Sequence, residues 1–393
     1  MWQIDLYDYL PAFQSYVDHV NPNVSLNVYT FPLFDYINQV PLALASGDAP
    51  DLLLVPNWMM QDSFNVLRHR LLDLSTVDAD TVSSLKESLT KGVWDAINPQ
   101  GTKDVRWIPL SSSPQAMFYR TDLFKKAGLP FEPTKVATLL KDWDSVAKAG
   151  KTFNAKLKKP LFVEWKKVYS HMIRQQYPIK NGKTGKFVGA LNPQFKKTFD
   201  YEIKGMKEGW IAKTHLDLNE ISGAKSAKAG AFGAVIGEEY TADQIKQKAY
   251  GGSSGQWAAV PVPGGVLDSG TLSFAIPEGS ADPILALDII QWLTLPDLQQ
   301  WAYENLTGVF PANTDLLTDE SWLGEKDPFF GGQSVRKLLA DAVLKAKPDV
   351  SMRATTSSVP TIFMDAIGSF ANNPKLDPAK LWKDALKAAE KTS

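Results

Sequence analysis

The sequence predicts an α/β protein, and three observations support that class. Apolar runs of strand length alternate with longer stretches of helical period along the whole chain. The segment 42–54, Leu-Ala-Leu-Ala-Ser-Gly-Asp-Ala-Pro-Asp-Leu-Leu-Leu, joins a helix end to a strand through a turn. In it, Gly47 suits the left-handed position that closes a helix, and Pro50 cannot continue one. Finally, 393 residues predict two or three domains, and 44% hydrophobic content is enough for real cores.

In chain order, a strand is predicted over 3–7 and a helix over 11–20, whose start tolerates Pro11. Residues 24–30 alternate as a strand, and 34–45 form a helix despite Pro41. The run 52–55 is continuously apolar, as expected of a parallel strand covered on both faces. It stops at Pro56-Asn57-Trp58, which sets a large aromatic at its carboxyl end, where open parallel sheets bind ligands. A helix follows over 61–69. Strands at 107–110 and 116–119 flank a Ser-Ser-Ser-Pro bend. Helices cover 121–127 and 135–151, a strand 160–164, and helices 171–176 and 192–208. Residues 232–236 form a strand and 238–248 a turn and helix; the strands 257–262 and 271–276 are bounded by Gly and Pro. From Pro283 onward the chain reads as helices, over 284–293, 297–304, 334–346, 360–370 and 378–391. Small polar residues at 111–114 and the stiff, then flexible 261–265 read as crossings between lobes.

Composition narrows the function classes. The formal net charge is −1 with acids and bases interspersed, so neither nucleic acid nor an anionic membrane is an expected partner. The absence of Cys excludes disulfides, thiolate catalysis and Cys-ligated metals. No apolar run approaches ~18 residues, so no spanning helix is predicted. No signal peptide is visible, and the opening at Met1-Trp2 reads as an export sequence removed and a start Met supplied. Twelve Trp and 11% aromatics are mostly core-forming. Trp58, Trp165, Tyr169, Tyr240 and Trp257, however, fall in turn-like surroundings, where a ring can face a ligand.

Several segments, in order over nearly the whole chain, carry a resemblance. Residues 42–54 resemble a helix–Ser-Gly-x-x-Pro-Asp–strand element, and 108–128, with Phe-Tyr-Arg-Thr-Asp-Leu-Phe-Lys-Lys-Ala-Gly at 118–128, a strand and helix entering a second lobe. Residues 257–263 and 270–280, the latter with Phe-Ala-Ile-Pro-Glu-Gly-Ser, resemble the return to the first; 287–298 and 308–312 resemble a helix and a Gly-x-x-Pro-Ala turn. The family is the extracellular solute-binding proteins of ABC importers, in the maltose-binding-protein-like, carbohydrate-binding group. Arg120 stands where that family has Asn, and 228–236 lacks the tryptophan that maltose-binding protein carries there.

The resemblance implies a two-lobed periplasmic-binding-protein fold, each lobe a mainly parallel sheet flanked by helices, with a ligand cleft at the hinge. Lobe 1 is expected to hold 1–110 and 267–313, lobe 2 114–263 and 320–393, with hinge crossings near 111–113, 264–266 and 314–319. It further implies a monomer that binds an oligosaccharide and delivers it to ABC permease subunits, without catalysis, cofactor or metal. The expected location is periplasmic or extracellular, with lipid anchoring to the cell surface as one form. Sugars need flat apolar faces for C–H surfaces and amide or charged groups for hydroxyls.

Strand ends supply the ligand-binding candidates. Asn57, Trp58 and Gln61 follow the 52–55 strand; Trp58 is a stacking platform or a cap on the core. Ser113 lies in the first crossing and reads equally as a turn residue. Glu164 and Trp165 end a strand, with Tyr169 one turn on. Glu238 and Tyr240 follow another strand, where acids also suit a solvated helix start. Ser269 and Gly270 offer backbone N–H groups. Arg353 precedes a late helix and reads equally as surface charge, and Tyr7 and Asp8 end the first strand.

Binders of polyamines or chelated iron on the same fold are the alternative reading. The competing class is a glycan-active hydrolase using Glu238 and Glu239 as paired carboxylates. Adjacent residues point apart on a strand, though, and His19, His69, His171 and His215 show no ligand spacing. The lysines between Lys148 and Lys167 read as a solvated face, with uronate-containing oligosaccharides left open.

Overall fold

The apolar run at 52–55 becomes the middle of a five-stranded sheet. The computed structural model describes residues 1–57, 59, 68–98, 104–175, 193–214, 221–247, 253–268, 270–348 and 358–391. Its strands are β1 (Trp2–Ile4), β2 (Tyr29–Phe31), β3 (Leu53–Pro56), β4 (Ile108–Pro109), β5 (Ser111–Ser112), β6 (Gln115–Arg120), β7 (Ala234–Glu238), β8 (Trp257–Pro261), β9 (Leu267–Asp268), β10 (Leu272–Ala275), β11 (Phe310–Pro311) and β12 (Lys347–Pro348). The chain divides into two units. The first comprises Met1–Pro114, Leu267–Leu323 and Ala340–Arg353; the second comprises Gln115–Val266, Gly324–Leu339 and Ala354–Ser393. Residues 340–353, expected with the second lobe, fall in the first unit, where β12 pairs in parallel with β9.

In the first unit the strand order is β2-β1-β3-β10-β4. The pairs β1–β2 and β1–β3 are parallel, whereas β10 runs antiparallel to β3 and β4. Every residue of β3 and β10 is buried. Alternation divides them between two cores. Leu52, Leu54, Leu272 and Phe274 pack with helices Leu10–His19 and Pro283–Leu293, while Leu53, Val55 and Ala275 pack under Tyr36, Val40 and Leu44 of helix Leu33–Ser46. That helix keeps Pro41 inside it and ends at Gly47, whose φ of 85° is the left-handed cap the sequence predicts.

The second unit is built on the three-stranded sheet β7-β6-β8, antiparallel throughout. A parallel edge is added by single bridges, Phe162 to Ala234 and Phe162 to Ile211. The expected mainly parallel character therefore holds along β2-β1-β3 and at these bridges. β6 and β10 run the other way, because strands not linked by a helical crossover are free of its right-handed parallel constraint. Met117 and Tyr119 of β6 face a core shared with helices Trp143–Leu157, Trp165–Arg174, Pro193–Glu208 and Ser358–Asn372.

Some elements differ from expectation. Helices Leu74–Val77, Ala79–Ser88 and Lys91–Ile97 occupy a stretch for which no element is predicted; Asp73 and Asp78 cap the first two by accepting from Ser75 and from Asp80 and Thr81 backbone N–H groups. The predicted 135–151 helix is two, Pro133–Leu139 and Trp143–Leu157, because Asp142 accepts from the Ser145 N–H at 2.7 Å and starts a new one. The predicted 160–164 strand reduces to the bridges at Phe162. Of the predicted 61–69 helix, residues 61–67 lie outside the described residues and Arg68–Arg70 form a short 3₁₀ turn. Among the described residues no helix is long and apolar enough to cross a membrane.

Candidate functional site

In the first unit, β1 and β3 run in parallel and end together, and the antiparallel β10 starts at the same edge, with Leu272 opposite Pro56. This carboxyl edge carries Tyr7, Asp8, Asn57 and Gly270. The Asn57 N–H donates to Thr271 O at 2.9 Å, and the Ser273 hydroxyl donates to Asn57 Oδ1 at 2.7 Å. The buried Asp268 carboxylate accepts from the Ser113 N–H at 3.0 Å and the Gly270 N–H at 2.8 Å. Gly270 has φ 64°, and a Cβ there would come within 2.5 Å of Ser111 O. Asn57, Ser113 and Gly270 are thus drawn together around Asp268 and Ser273. Tyr7 is half-buried against the core, and exposed Asp8 accepts from Gln3 Nε2 and the Leu10 N–H.

The second unit's edge is set by the bridges at Phe162. Because these are parallel, Lys213 and Thr214 beyond Ile211, Glu164 and Trp165 beyond Phe162, and Glu238 ending β7 all emerge on one side. Gln115, opposite Glu238 at the start of antiparallel β6, joins them. Helix Trp165–Arg174 begins at once, its Glu164 N-cap making no side-chain capping bond.

Two arrangements result. In the first, Lys167 donates to Glu238 Oε2 at 2.9 Å and the Tyr240 hydroxyl donates to the same oxygen at 3.1 Å. Burial works against the Glu238 charge, but the Lys167 ammonium beside it holds the carboxyl below its ordinary value. Burial likewise opposes the Lys167 charge, and Glu238, with Glu164 adding to it, raises that ammonium above its ordinary value. Glu164, Glu238 and Tyr240 therefore meet around a lysine that the sequence reading assigns to a solvated face.

In the second arrangement, a cavity of about 750 Å³ is present on this edge. Its walls include Trp165, Lys166, Lys213, Thr214 and, from helix Ser358–Asn372, Gly368 and Ser369. Trp165 is only 3% exposed, so it offers the cavity an edge rather than an open face. Gly368 lies 3.6 Å, measured from a built Cβ, from the outer indole carbons, and the Lys166 ammonium sits 5.8 Å from the ring centroid. The volume falls within the ~300–1,000 Å³ of small-molecule pockets.

Tyr169 is a core residue whose hydroxyl donates to Pro360 O at 3.1 Å. Trp58, Gln61, Ser269 and Arg353 lie outside the described residues. Arg120, which replaces the family's Asn, is buried and donates to Asp122, Ala227 O and Gln256 Oε1. Sequence reasoning misses Lys166, Lys167 and Lys213. Lys213 follows the apolar Trp210-Ile211-Ala212, a run too short to read as a strand end. Among the described residues no three His, Asp or Glu side chains gather as they would around a metal ion.

Comparison with known proteins places this architecture. Residues 6–300 match the family described as bacterial extracellular solute-binding protein. A solved extracellular solute-binding protein of family 1 is similar at TM-score 0.87 and 23% identity, covering 99% of this chain and 98% of that one. The sugar-binding protein MalE from Xanthomonas citri matches at TM-score 0.81 and 15% identity, over 99% and 95%. The galacto-N-biose-/lacto-N-biose I-binding protein of an ABC transporter from Bifidobacterium longum, in complex with lacto-N-biose, matches at 0.72 and 18%, over 98% and 94%. No curated protein sequence matches the chain.

Proposed function

The chain belongs to the bacterial extracellular solute-binding proteins, and from that premise we propose that it captures an oligosaccharide and hands it to an ABC permease. The family binds solutes and is not a family of enzymes, so recognition is the whole of the chemistry. The observation that carries the carbohydrate reading is the cavity on the second unit's carboxyl edge, where an indole, hydroxyls and ammonium groups line one space. The hydroxyl and charged groups suit sugar hydroxyls, and the Trp165 edge adds apolar surface to the wall. Relatives of the same fold, MalE and the lacto-N-biose binder, are sugar-binding proteins by their own descriptions, which supports the class of ligand. A polyamine receptor is disfavoured by this cavity, since Lys166 and Lys213 face a single wall carboxylate, Asp365.

The test is a titration of intrinsic tryptophan fluorescence with a panel of oligosaccharides, putrescine and a ferric chelate. A saturable response to a glycan, lost in Trp165→Phe with the far-ultraviolet dichroism unchanged, is the expected result. A response to putrescine or the chelate with none to any glycan overturns the reading. Trp58→Ala, measured alongside, should weaken the same response.

A further inference from the structure

We propose that the ligand of this cavity is an acidic carbohydrate, whose carboxylate is held by Lys166 and Lys213 at the carboxyl edge of the second unit. The inference rests on the carbohydrate reading above and narrows it. Lys166 and Lys213 come from different parts of the chain, 47 positions apart, yet line the same space. Among the described residues neither has an ion pair, although Asp365 lies in the same wall. Some other lysines of this unit do have carboxylate partners: Lys151 pairs with Glu208, Lys196 with Asp200, Lys197 with Asp144 and Lys246 with Asp243 and Asp327. Two ammonium groups against the single Asp365 carboxylate leave the cavity wall net positive, a complementary surface for an anion.

A second observation points the same way. The ten-residue helix Trp165–Arg174 starts at the cavity wall, and its N-cap Glu164 makes no side-chain bond to the first-turn N–H groups. The first-turn N–H groups of that helix lie at the edge that carries Lys166. The Trp165 edge and the Thr214 and Ser369 hydroxyls belong to the same walls, so the anion recognised is one attached to a hydroxylated ring rather than a bare ion. A hexuronate meets all three requirements with one residue: an apolar ring face, hydroxyls and a single carboxylate.

The experiment compares three galacturonate trisaccharide preparations by calorimetry against the full chain: the free acid, its methyl ester and the trisaccharide with a terminal phosphate in place of the carboxylates. The ester keeps the shape and removes the charge. The free acid is expected to bind about tenfold tighter than the ester, with the advantage shrinking in high salt. Lys166→Met and Lys213→Met should each reduce that preference, and both residues are exposed, so thermal melts should match the parent. Lys213→Arg should retain the preference. Equal binding of acid and ester, or lysine variants that leave their ratio unchanged, overturns the acidic ligand while leaving a neutral oligosaccharide standing. Preference for the phosphate overturns the carboxylate assignment. Absence of binding to these and to every neutral glycan in the panel overturns both this inference and the reading beneath it.

Discussion

Replacing Glu202 by methionine should stabilise the protein, by a margin that grows with pH. Glu202 sits on helix Pro193–Glu208, fully buried, on the stripe that also buries Phe195, Thr198, Phe199 and Met206. Neither carboxyl oxygen has a hydrogen-bond partner, and neither does the neighbouring Tyr201 hydroxyl. Burial pushes the Glu202 carboxyl well above its ordinary value; it also pushes the Tyr201 hydroxyl up, with Glu202 adding to the effect. An unpartnered buried polar group costs about 1–3 kcal/mol even when neutral. Titration adds to that cost. The folded state holds the Glu202 proton more tightly than the unfolded chain does, so the group's contribution is most favourable below the unfolded value of about 4.3. Above it, about 1.4 kcal/mol is lost per pH unit until the folded-state value is reached. Methionine has similar length, no polar atom and no proton to lose. Thermal unfolding at about pH 5 and about pH 7 should show the variant melting higher at both, with a gain larger at the second by several degrees, taking ~2–4 °C per kcal/mol for a domain of this class. Glu202→Gln separates the two costs, since it keeps an unpartnered polar group but should flatten the pH dependence. A methionine variant that melts below the parent at about pH 7, or by the same margin above it at both pH values, refutes the reasoning.

The Lys167–Glu238 pair should contribute about 1 kcal/mol, less than a fully buried pair because Lys167 is part exposed. Glu238 is held below its ordinary value, so its share is present above the unfolded carboxylate value and is lost as pH falls through the folded one. Chemical denaturation of Glu238→Gln, Lys167→Met and the double variant should show the double costing less than the sum of the singles; strict additivity would deny the interaction. Gly270→Ala combines a left-handed backbone with a Cβ 2.5 Å from Ser111 O and 2.6 Å from Val93 Cγ2, and should cost about 2–4 kcal/mol in urea unfolding. A cost under about 1 kcal/mol would mean that turn can relax. Asp282→Ala should cost about 1 kcal/mol, because Asp282 Oδ1 accepts from the Leu285 N–H at 3.0 Å at the start of helix Pro283–Leu293; an unchanged denaturation midpoint would remove that cap from the account.

The parts of this fold that were legible are those governed by local spacing. The 52–55 run declared a strand buried on both faces because each of its alternate residues is apolar, and the two cores divide Leu52 and Leu54 from Leu53 and Val55 accordingly. Gly47 announced its helix end because an αL cap is a property of one residue. The three helices between 74 and 97 are not legible in the sequence, although Asp73 and Asp78 mark the first two starts, because elements of four to ten residues are too short to show a full apolar stripe. Glu202 occupies a position whose helical spacing says core and whose chemistry says surface; spacing prevailed, since the same turn carries Phe199 and Met206.

The candidate site was less legible for the same physical reason. Lys166 and Lys167 are adjacent and chemically identical, so composition can only assign both to a solvated face. Successive helical residues point about 100° apart. Lys167 is thereby turned to Glu238, 71 positions along the chain, and Lys166 to the cavity beside Trp165. What separates them is the start of the helix directly after Glu164, which sets the angle from which the count begins. The strand end was visible in the sequence; the phase of the helix leaving it was not, because that phase is set by the Phe162 bridges to Ile211 and Ala234, partners that no local window contains.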